Sequence, residues 1–259
     1  MGTALVTGAS AGLGRAFALE LARRGHDVVL VSRDRTRLEE VAAQVRDAYA
    51  VTAEVLPADL ADRQQTERVA ERLRDPARPV DLLVNNAGFA IKRSFVRGHL
   101  ADEERALDVM VRAVLVLSHA AAGAMRARGH GAILNVSSVA SFTAMGTYSA
   151  TKSWVTVFTE ALSVELAGSG VTATAVCPGF VHTEFHDRAE MNMSALPEAL
   201  WLESDQVVRE ALAAVDAGRA ISIPSLTYKA VVAGLTVLPR ATTRRVSGLL
   251  AQRRRTAKS

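Results

Sequence analysis

Short runs of apolar residues alternate along the chain with longer segments in which apolar residues recur at helical spacing. The short runs have the length of buried strands, whereas the longer segments are typical of helices that bury one face. Because strands and helices alternate, we expect a single α/β domain in which helices cover both faces of a doubly wound parallel sheet. The clearest predicted strands are residues 3–6, 28–31, 81–84, 132–136 and 220–223, and the clearest predicted helices are 15–24, 102–128 and 148–167.

A glycine-rich turn joins the first predicted strand to the first predicted helix. The run from Thr7 to Gly14 reads TGASAGLG. Glycine lets the backbone approach a pyrophosphate closely, and the N-terminus of the next helix offers free amide donors at the positive end of its dipole. The spacing differs from GxGxxG, and an ordinary strand-to-helix connection is the alternative. The flanking strand and helix favour a dinucleotide site.

Polar side chains follow two further predicted strands. The run Asn-Asn-Ala-Gly at 85–88 comes after residues 81–84, and Ser137 and Ser138 come after residues 132–136. The carboxyl ends of the strands form the ligand crevice of an open parallel sheet. We therefore expect these segments to converge near the glycine-rich turn, although they are far apart in the sequence.

Tyr148 and Lys152 lie four residues apart in a predicted helix, so they share one helical face. A phenol with an ordinary pKa of about 10 is a poor acid or base near neutral pH unless a nearby positive charge favours its ionised form. The ammonium of Lys152 can supply that charge. The same pair also occurs on solvated helix faces, and that interpretation stays open for the pair taken alone.

Together these motifs resemble those of the short-chain dehydrogenase/reductase family. The resemblance rests on TGASAGLG, on NNAG, on the block from Ser138 to the YSATK run at 148–152, and on CPGFVHT at 177–183. The motifs follow one another in the family's order over about residues 1–223. The resemblance implies a Rossmann-type fold and a nicotinamide-dependent carbonyl reductase or alcohol dehydrogenase, with 1–223 as the catalytic domain.

The resemblance also implies roles for three side chains. Tyr148 resembles the family's acid/base, Lys152 the partner that lowers its pKa and anchors the ribose, and Ser138 the hydroxyl that holds the substrate oxygen. These roles suit the chemistry, because hydride delivery to a carbonyl builds negative charge on its oxygen and needs a proton donor within reach. Ser137 is the alternative to Ser138. The ten-residue step from Ser138 to Tyr148 is short for the family, which predicts an altered substrate mouth.

One position departs from the family pattern. Many members carry an asparagine in the fourth helix where this chain has Met110. In the family that asparagine supports a helix kink, and its main-chain carbonyl holds a water that passes protons to the lysine. A carbonyl survives the substitution, so we expect a weakened relay; simple apolar packing of the methionine is the alternative.

The end of the second strand bears on which nicotinamide is used. In the family register the discriminating position is Ser32, followed by Arg33 and Asp34. An acidic residue there would bind the ribose 2′-hydroxyl, whereas a guanidinium pairs with a 2′-phosphate. We therefore predict NADP(H) over NAD(H), with a solvated Arg33 and an NAD-binding Asp34 as the alternative.

The resemblance extends to the rest of the cofactor site. Asp59 and Leu60 resemble the positions that contact the adenine, and the segment 178–183 resembles the one that contacts the nicotinamide half. The residues expected to contact the cofactor are Gly8, Ser10, Gly12, Leu13, Gly14, Arg33, Asp59, Leu60, Asn86, Ala87, Gly88, Tyr148, Lys152, Pro178, Gly179, Val181 and Thr183.

Residues 180–202 are predicted to form a lid over the substrate. The segment is rich in adaptable methionine and aromatic side chains, which favours an apolar substrate, and Pro197 to Trp201 permits a short helix. With a loose resemblance of the C-terminal third to bacterial lipid-ketone reductases, it predicts a 3-oxoacyl or similar lipid-like ketone. A small xenobiotic or steroid ketone or alcohol is the alternative, and a catalytically weak nicotinamide-binding sensor or structural protein is another.

Residues 224–259 extend beyond the predicted catalytic domain. An apolar stretch at 228–238 is too short to span a bilayer, and residues 240–259 hold seven basic residues and no acidic one. Since the formal net charge is +4 overall, the rest of the chain sums to −3. An apolar helix followed by a cationic segment is typical of peripheral membrane contact. The alternative is a C-terminal helix that packs on a neighbouring subunit or over the active site and has a frayed basic end. The basic residues lack the interleaved aromatics of a nucleic-acid site.

Composition adds a few bounds. With 259 residues, 49% of them hydrophobic, the chain can bury one large core, and its single cysteine, Cys177, excludes an intrachain disulfide. The first strand follows Met1 so closely that we expect no cleavable signal peptide, and with no uncharged apolar run of membrane-spanning length we expect a cytoplasmic enzyme. No metal-ligand cluster is evident. The helix 102–128 carries more apolar surface than one core-facing stripe requires, and family members commonly pair it and the helix 148–167 between subunits. We therefore expect a homodimer or homotetramer, with full burial inside one chain as the alternative.

Overall fold

A parallel sheet of seven strands forms the centre of the structure, a computed structural model that describes residues 2–91, 95–183 and 197–237. The strands are β1 Thr3–Thr7, β2 Asp27–Ser32, β3 Ala53–Pro57, β4 Leu82–Asn85, β5 Gly131–Val136, β6 Val171–Val176, β7 Phe180–Val181, β8 Trp201–Leu202 and β9 Ile221–Ser222. The order in the large sheet is β3-β2-β1-β4-β5-β6-β9. A second, two-stranded sheet pairs β7 with β8.

Helices cover both faces of the large sheet. The helices are α1 Gly12–Arg23, α2 Arg35–Ala48, α3 Arg63–Arg74, α4 Leu100–Leu107, α5 Ala113–Arg128, α6 Gly146–Glu165, α7 Ser204–Asp216 and α8 Leu226–Val237, with short 3₁₀ turns at Phe95–Arg97, Val139–Phe142 and Glu198–Leu200. One core cluster joins α1, α2 and α7 to the sheet, and a second joins α3 and α5 to the opposite face. The doubly wound α/β fold predicted from the sequence is confirmed.

The strand order creates a crevice at the carboxyl edge of the sheet. β1 pairs with β2 on one side and with β4 on the other, so the chain reverses its direction of winding between β3 and β4. Loops that leave the neighbouring strands at such a switch point separate and leave a groove, which is where open α/β sheets bind ligands. The glycine-rich turn after β1 and the NNAG run after β4 both lie there.

Predicted and observed boundaries differ most at the first helix. We expected α1 to begin at residue 15, but it begins at Gly12, and the last two glycines of the turn lie in its first helical turn. The apolar stretch at 228–238 lies largely within α8, of which only Tyr228 and Val232 are buried. Residues 238–259, including the basic tail, lie outside the described residues.

The long helix predicted at 102–128 is interrupted by a π-helical turn at Asp108–Arg112, between α4 and α5. The amide of Ala113 donates to the carbonyl of Asp108, and Arg112 Nε donates to Asp108 Oδ1 over 2.7 Å. Met110 lies inside this turn and is 1% exposed, with its sulfur close to Gly88. The local distortion that the family's asparagine supports is therefore present here with a methionine.

By length and composition alone, the helical stretch 100–128 could cross a membrane, and 56% of its most apolar window is buried inside the protein. Its buried side chains, among them Leu117 and Met125, belong to the core cluster on one face of the sheet. These contacts are those of a core helix in a globular domain.

Candidate active site

The glycine-rich turn can only be built from glycine at two of its positions. Gly8 has a φ of +68°, which side chains rarely adopt, and a Cβ on Gly14 would overlap the carbonyl oxygen of Gly8. Gly12 also has a positive φ, of +52°, and Thr183 packs against it. The close approach of backbone to backbone leaves the N-terminus of α1 open to an anionic ligand, so the turn fits a pyrophosphate. Ser10 and Leu13 lie half-buried in the same turn, where Leu13 packs on the core.

Thr7, at the end of β1, ties the glycine-rich turn to the NNAG run. Its hydroxyl oxygen accepts hydrogen bonds from the amides of Asn86 and Ala87, each over 3.0 Å. The side-chain nitrogen of Asn86 in turn donates to the carbonyl of Thr7 over 2.9 Å. The two predicted cofactor segments are therefore held together by direct contacts. Thr7 was not among the residues predicted to contact the cofactor, although a hydroxyl at the end of β1 was a signal for it.

A buried row of polar side chains crosses the sheet beneath the site. Asn85 donates to Ser118 on α5 over 3.1 Å and to Asn135 on β5 over 2.9 Å. Asn135 donates to Thr159 on α6 over 2.9 Å. Because buried polar groups are costly unless paired, this row fixes how α5 and α6 sit against the strand ends. Sequence reasoning missed it, since its members come from four distant segments.

The two candidate serines after β5 point to different places. Ser137 is 2% exposed, and its hydroxyl donates to the carbonyl of Lys152 over 2.8 Å and pairs with Thr156 over 2.7 Å. Ser138 is half-buried, caps the 3₁₀ turn by accepting from the Ala140 amide, and hydrogen-bonds with the Tyr148 side chain. The geometry thus favours Ser138 over Ser137 as the hydroxyl that faces the site.

Tyr148 and Lys152 project from the first turns of α6, as their spacing predicted. Lys152 is 5% exposed, and its Nζ donates to the carbonyl of Val136 over 2.8 Å and lies 5.8 Å from the centre of the Tyr148 ring. Ser138, Tyr148 and Lys152 therefore meet at the carboxyl edge of β5. Their catalytic roles stay predictions.

Burial shifts the pKa values of both side chains. Burial raises the pKa of Tyr148 to about 12, with the Ser138 hydrogen bond acting in the opposite sense. Burial lowers the pKa of Lys152 to about 8, opposed in part by Cys177. The phenol thus holds its proton at neutral pH, and the lysine is mostly charged. Burial and the Ser138 hydrogen bond set the pKa of Tyr148 in this structure, and Lys152 does not contribute to it. The expected lowering of that pKa by Lys152 stays a prediction.

The adenine end of the predicted site carries a charged cluster. Burial raises the pKa of Asp59, but hydrogen bonds from the side chain of Arg105 and the amide of Ala61, together with the charge of Arg33, outweigh it and hold that pKa below its usual value. Arg105 Nη2 lies 2.7 Å from the carboxylate. Leu60, next to Asp59, is buried. Arg105 was not predicted from the sequence.

The two residues after β2 have different surroundings, since one is exposed to solvent and the other caps α2. Arg33 is exposed at the edge of the site. Asp34 caps α2 by accepting from the Arg37 amide over 3.1 Å, and it also pairs with the Arg37 side chain. The buried hydroxyl oxygen of Ser32 has no hydrogen-bond partner among the described residues. Asp34 is thus committed to the helix, whereas Arg33 is exposed to a ligand and the buried hydroxyl of Ser32 keeps its hydrogen-bonding capacity unused.

The segment after β6 joins the glycine-rich turn to the serine turn, which is the 3₁₀ turn Val139–Phe142 with its cap Ser138. The carbonyl of Pro178 accepts from the Val139 amide over 3.0 Å, and Thr183 packs against Gly12. Val181 is 4% exposed and packs with Leu13. Cys177 is fully buried, as expected for a structural residue. The predicted nicotinamide segment therefore lies between the two other parts of the site.

The described ends of the predicted lid pair with each other. β7 and β8 are hydrogen-bonded, His182 stacks on Trp201 with ring centres 4.6 Å apart, and His182 Nε2 lies 3.1 Å from Glu198. The short helix expected within 197–201 is confirmed as the turn at Glu198–Leu200. Residues 184–196, with the predicted lid side chains Phe185, His186, Met191, Met193 and Leu196, lie outside the described residues.

Comparisons with known proteins agree with this geometry. The family model for the short chain dehydrogenases matches residues 2–193. The 3-oxoacyl-acyl-carrier-protein reductase FabG of Aquifex aeolicus is 33% identical over 183 residues, which cover 70% of this chain and 74% of that protein.

Two solved structures are similar over almost the whole chain. A short-chain dehydrogenase from Sphingobium yanoikuyae in complex with NADPH has a TM-score of 0.83 and 36% identity, covering 93% of this chain and 98% of that one. The bulky-bulky ketone specific alcohol dehydrogenase from Comamonas testosteroni has a TM-score of 0.79 and 30% identity, covering 93% and 96%. The chain therefore belongs to the short-chain dehydrogenase family and is an NAD(P)-dependent oxidoreductase that acts on the CH-OH and C=O groups of small molecules.

Proposed function

We propose that the protein is an NADPH-dependent reductase that converts a ketone to an alcohol, with Tyr148 as the proton donor. The observation that carries the proposal is the hydrogen bond between Ser138 and Tyr148 beside the buried Lys152, at the same sheet edge as the glycine-rich turn. A bound nicotinamide supplies the hydride. The chain supplies the groups that orient the ketone and deliver its proton.

Each side chain has a separate task in this proposal. Ser138 donates a hydrogen bond that orients the ketone oxygen, and Tyr148 gives that oxygen its proton as negative charge develops. The raised pKa of Tyr148, about 12, keeps the phenol protonated until negative charge develops on the ketone oxygen. Lys152, with a pKa of about 8, is mostly an ammonium at pH 7 and stabilises the tyrosinate that forms.

A preference for NADPH over NADH is the finer part of the cofactor proposal. It is supported by the exposed guanidinium of Arg33, by the unpartnered hydroxyl of Ser32 and by the engagement of Asp34 with α2. A 2′-phosphate can take hydrogen bonds from both Ser32 and Arg33, whereas the carboxylate that would bind a 2′-hydroxyl is occupied.

The Arg33→Ala variant tests the cofactor preference. We expect the wild type to bind NADPH at least tenfold more tightly than NADH, and we expect the variant to bind both about equally. Nucleotide fluorescence titration measures the affinities. Arg35→Ala is the matched control, because Arg35 is exposed on α2 and pairs with Glu39. Equal affinities in the wild type would contradict the preference.

The substrate we propose is a 3-oxoacyl or similar lipid-like ketone. The name of the Aquifex aeolicus relative supports this class, and the half-buried rings of Phe180 and Trp201 at the ends of the predicted lid supply apolar surface. A small xenobiotic or steroid ketone is the second candidate, and the name of the Comamonas testosteroni neighbour favours the bulkier steroid within it.

A panel of ketones tests the substrate proposal. The panel runs from short to long acyl chains and includes bulky cyclic ketones, with NADPH consumption as the readout. We expect kcat/KM to rise with chain length. A preference for bulky cyclic ketones would select the second candidate. NADPH binding without turnover of any ketone would instead support a sensor or structural protein.

We also propose that the protein forms a homodimer or homotetramer through α5 and α6. Leu115 on α5, and Val157 and Val164 on α6, are exposed although large and apolar. Sedimentation of the wild type is expected to give a dimer or tetramer, and Val157→Arg is expected to shift it to the monomer. A monomeric wild type would contradict the proposal.

A peripheral membrane contact through the C-terminal region completes the proposal. Leu226, Val231 and Val237 on α8 are exposed, and the chain continues into the basic segment 240–259. An apolar helical face followed by cationic residues is suited to an anionic lipid surface.

A further inference from the structure

We propose that Tyr228, on the C-terminal helix α8, is a positioning residue for the cofactor segment and for the two ends of the predicted lid. The inference rests on the proposed nicotinamide function. It assigns a part in that site to a helix that carries none of the family motifs on which the resemblance rests.

The hydroxyl of Tyr228 joins two backbone segments that are 20 residues apart. It donates to the carbonyl of Leu200 over 2.7 Å and accepts from the amide of Phe180 over 3.2 Å. Phe180 begins β7, and Leu200 immediately precedes β8. One side chain thus fixes the entry and the exit of the segment 180–202, and both bonds are sheltered because Tyr228 is 5% exposed.

The ring of Tyr228 fixes the same segment from a second direction. It lies against the backbone of Gly179 so closely that a Cβ on that glycine would overlap the ring. Gly179 and Phe180 are therefore held by the ring and by the hydroxyl of one residue. The preceding residue, Pro178, is bound to the serine turn through the Val139 amide.

The neighbours of Tyr228 connect it to two other parts of the candidate site, the glycine-rich turn and the serine turn. Its apolar cluster includes Val181 and Leu202, and Leu13 of the glycine-rich turn and Val139 of the serine turn pack against that cluster. A displacement of Tyr228 therefore shifts the segment that lies between the glycine-rich turn and Ser138. Because the effect passes through the backbone of 179–181, Tyr228 does not need to touch the ligand.

Other contacts between the lid ends do not replace this one. The pair between His182 and Glu198 is exposed, and the stack of His182 on Trp201 lies beside it. Exposed polar pairs contribute little to holding two segments together. Tyr228 adds a buried connection to the β7–β8 pairing, and it joins both lid ends to the C-terminal helix.

Tyr228→Phe in the full-length protein tests the inference. The variant keeps the ring against Gly179 and loses both hydrogen bonds of the hydroxyl. We expect the KM and the dissociation constant for NADPH to rise about tenfold, while kcat at saturating NADPH falls less than threefold. Tyr49→Phe, at the end of α2 and away from the site, is the matched control and is expected to leave these constants unchanged.

A second readout does not depend on the nucleotide. Trypsin can cleave after Arg188, the only lysine or arginine between Val181 and Leu202. We expect cleavage there, followed by mass spectrometry, to be several times faster in Tyr228→Phe than in Tyr49→Phe.

The two readouts separate the failure of this inference from the failure of the proposed function. Wild-type NADPH affinity together with a wild-type cleavage rate in Tyr228→Phe would overturn the role of Tyr228. A lower melting temperature with an unchanged KM would also overturn it, since that result describes a purely structural residue. If the wild type binds no NADPH, the proposed function fails, and the cleavage rates still decide whether Tyr228 holds the segment.

Discussion

At the residue scale, burial gives Tyr148 and Lys152 opposite tendencies. It disfavours the charged form of each, so the pKa of the phenol rises to about 12 and that of the ammonium falls to about 8. A proton donor that holds its proton stands beside a cation that can lose its own near physiological pH. This combination suits reduction more than oxidation, because reduction starts from the protonated phenol.

The lowered pKa of Lys152 predicts how the reduction rate depends on pH. Below about pH 8 the side chain is an ammonium that stabilises the tyrosinate, and above it the charge is lost. We therefore expect kcat/KM for ketone reduction to be level from pH 6 to about 7.5 and to fall about tenfold per pH unit well above 8. A pH profile at saturating NADPH measures this.

The matched control for the pH profile is Lys229→Ala. Lys229 is exposed on α8, so its loss is expected to leave the profile unchanged. A wild-type rate that stays level up to pH 10 would contradict the assigned part of Lys152.

Which residues could be predicted depended on whether their partners were close in sequence. The spacing of Tyr148 and Lys152 was visible because both lie on one helix. The choice between Ser137 and Ser138 was not, because it depends on Thr156 and on the carbonyl of Lys152, which occupy the Ser137 hydroxyl. Met110 indicated a departure from the family pattern in this helix, but it did not predict the π-helical turn at Asp108–Arg112.

At the element scale, the connection from β1 to α1 depends on glycine for its shape. Gly14 lies inside the first turn of α1 and touches the carbonyl of Gly8 and the side chain of Asn86. An added methyl group must push the turn away from the NNAG run. The helix α1 and the NNAG run after β4 can therefore pack this closely only because Gly14 has no side chain.

Gly14→Ala is expected to weaken NADPH binding at least tenfold and to lower the melting temperature. The clash with the Gly8 carbonyl causes both effects. Gly123→Ala is the matched control, because Gly123 also lies within a helix but has no atom within 4 Å of an added Cβ. That change is expected to stabilise the protein by about 0.5–1 kcal/mol, the gain of alanine over glycine in a helix.

Calorimetry and nucleotide titration of the two glycine variants provide the measurements. If Gly14→Ala bound NADPH like the wild type, the glycine-rich turn would not be the pyrophosphate site. The comparison with Gly123→Ala separates the steric effect from the general preference of helices for alanine.

The strands were easier to predict than the boundaries of the helices. Strands of a doubly covered parallel sheet are buried on both faces, so they appear as continuous apolar runs. The start of α1 was placed three residues too late, because glycines that normally end a helix here form its first turn. The break between α4 and α5 has no equally simple signal, because each side of the π-helical turn continues the apolar pattern.

At the scale of the whole molecule, the C-terminal region combines positive charge with exposed apolar side chains. The basic segment 240–259 follows α8, whose exposed face carries Leu226, Val231 and Val237. Through Tyr228 the same helix contacts the predicted cofactor segment. A membrane surface that binds the exposed face of α8 would therefore lie next to the helix that contacts the candidate site.

Vesicle flotation tests the membrane contact. We expect the full chain to float with vesicles that contain anionic lipids, since each basic residue near such a surface contributes about 1 kcal/mol, and we expect a chain that ends at residue 239 not to float. Vesicles of neutral lipid are the control and are expected to bind neither form. Failure of the full chain to bind anionic vesicles would end the proposal.

The sequence was sufficient for the fold and the family, because both depend on local patterns and short motifs. It was insufficient for the substrate, because the surroundings of the candidate site depend on tertiary contacts such as those of Phe180 with Trp201 and Tyr228. The contact of Tyr228 with Gly179 is such a case: neither residue indicates the other from the sequence.

The activity of Tyr148→Phe is the most direct test of the central claim, that Tyr148 donates the proton in an NADPH-dependent reduction. The change removes the hydroxyl and keeps the ring, so we expect at least a 100-fold loss of ketone-dependent NADPH oxidation with NADPH affinity retained. Tyr49→Phe is expected to keep wild-type activity. Activity of Tyr148→Phe close to that of the wild type would contradict the account.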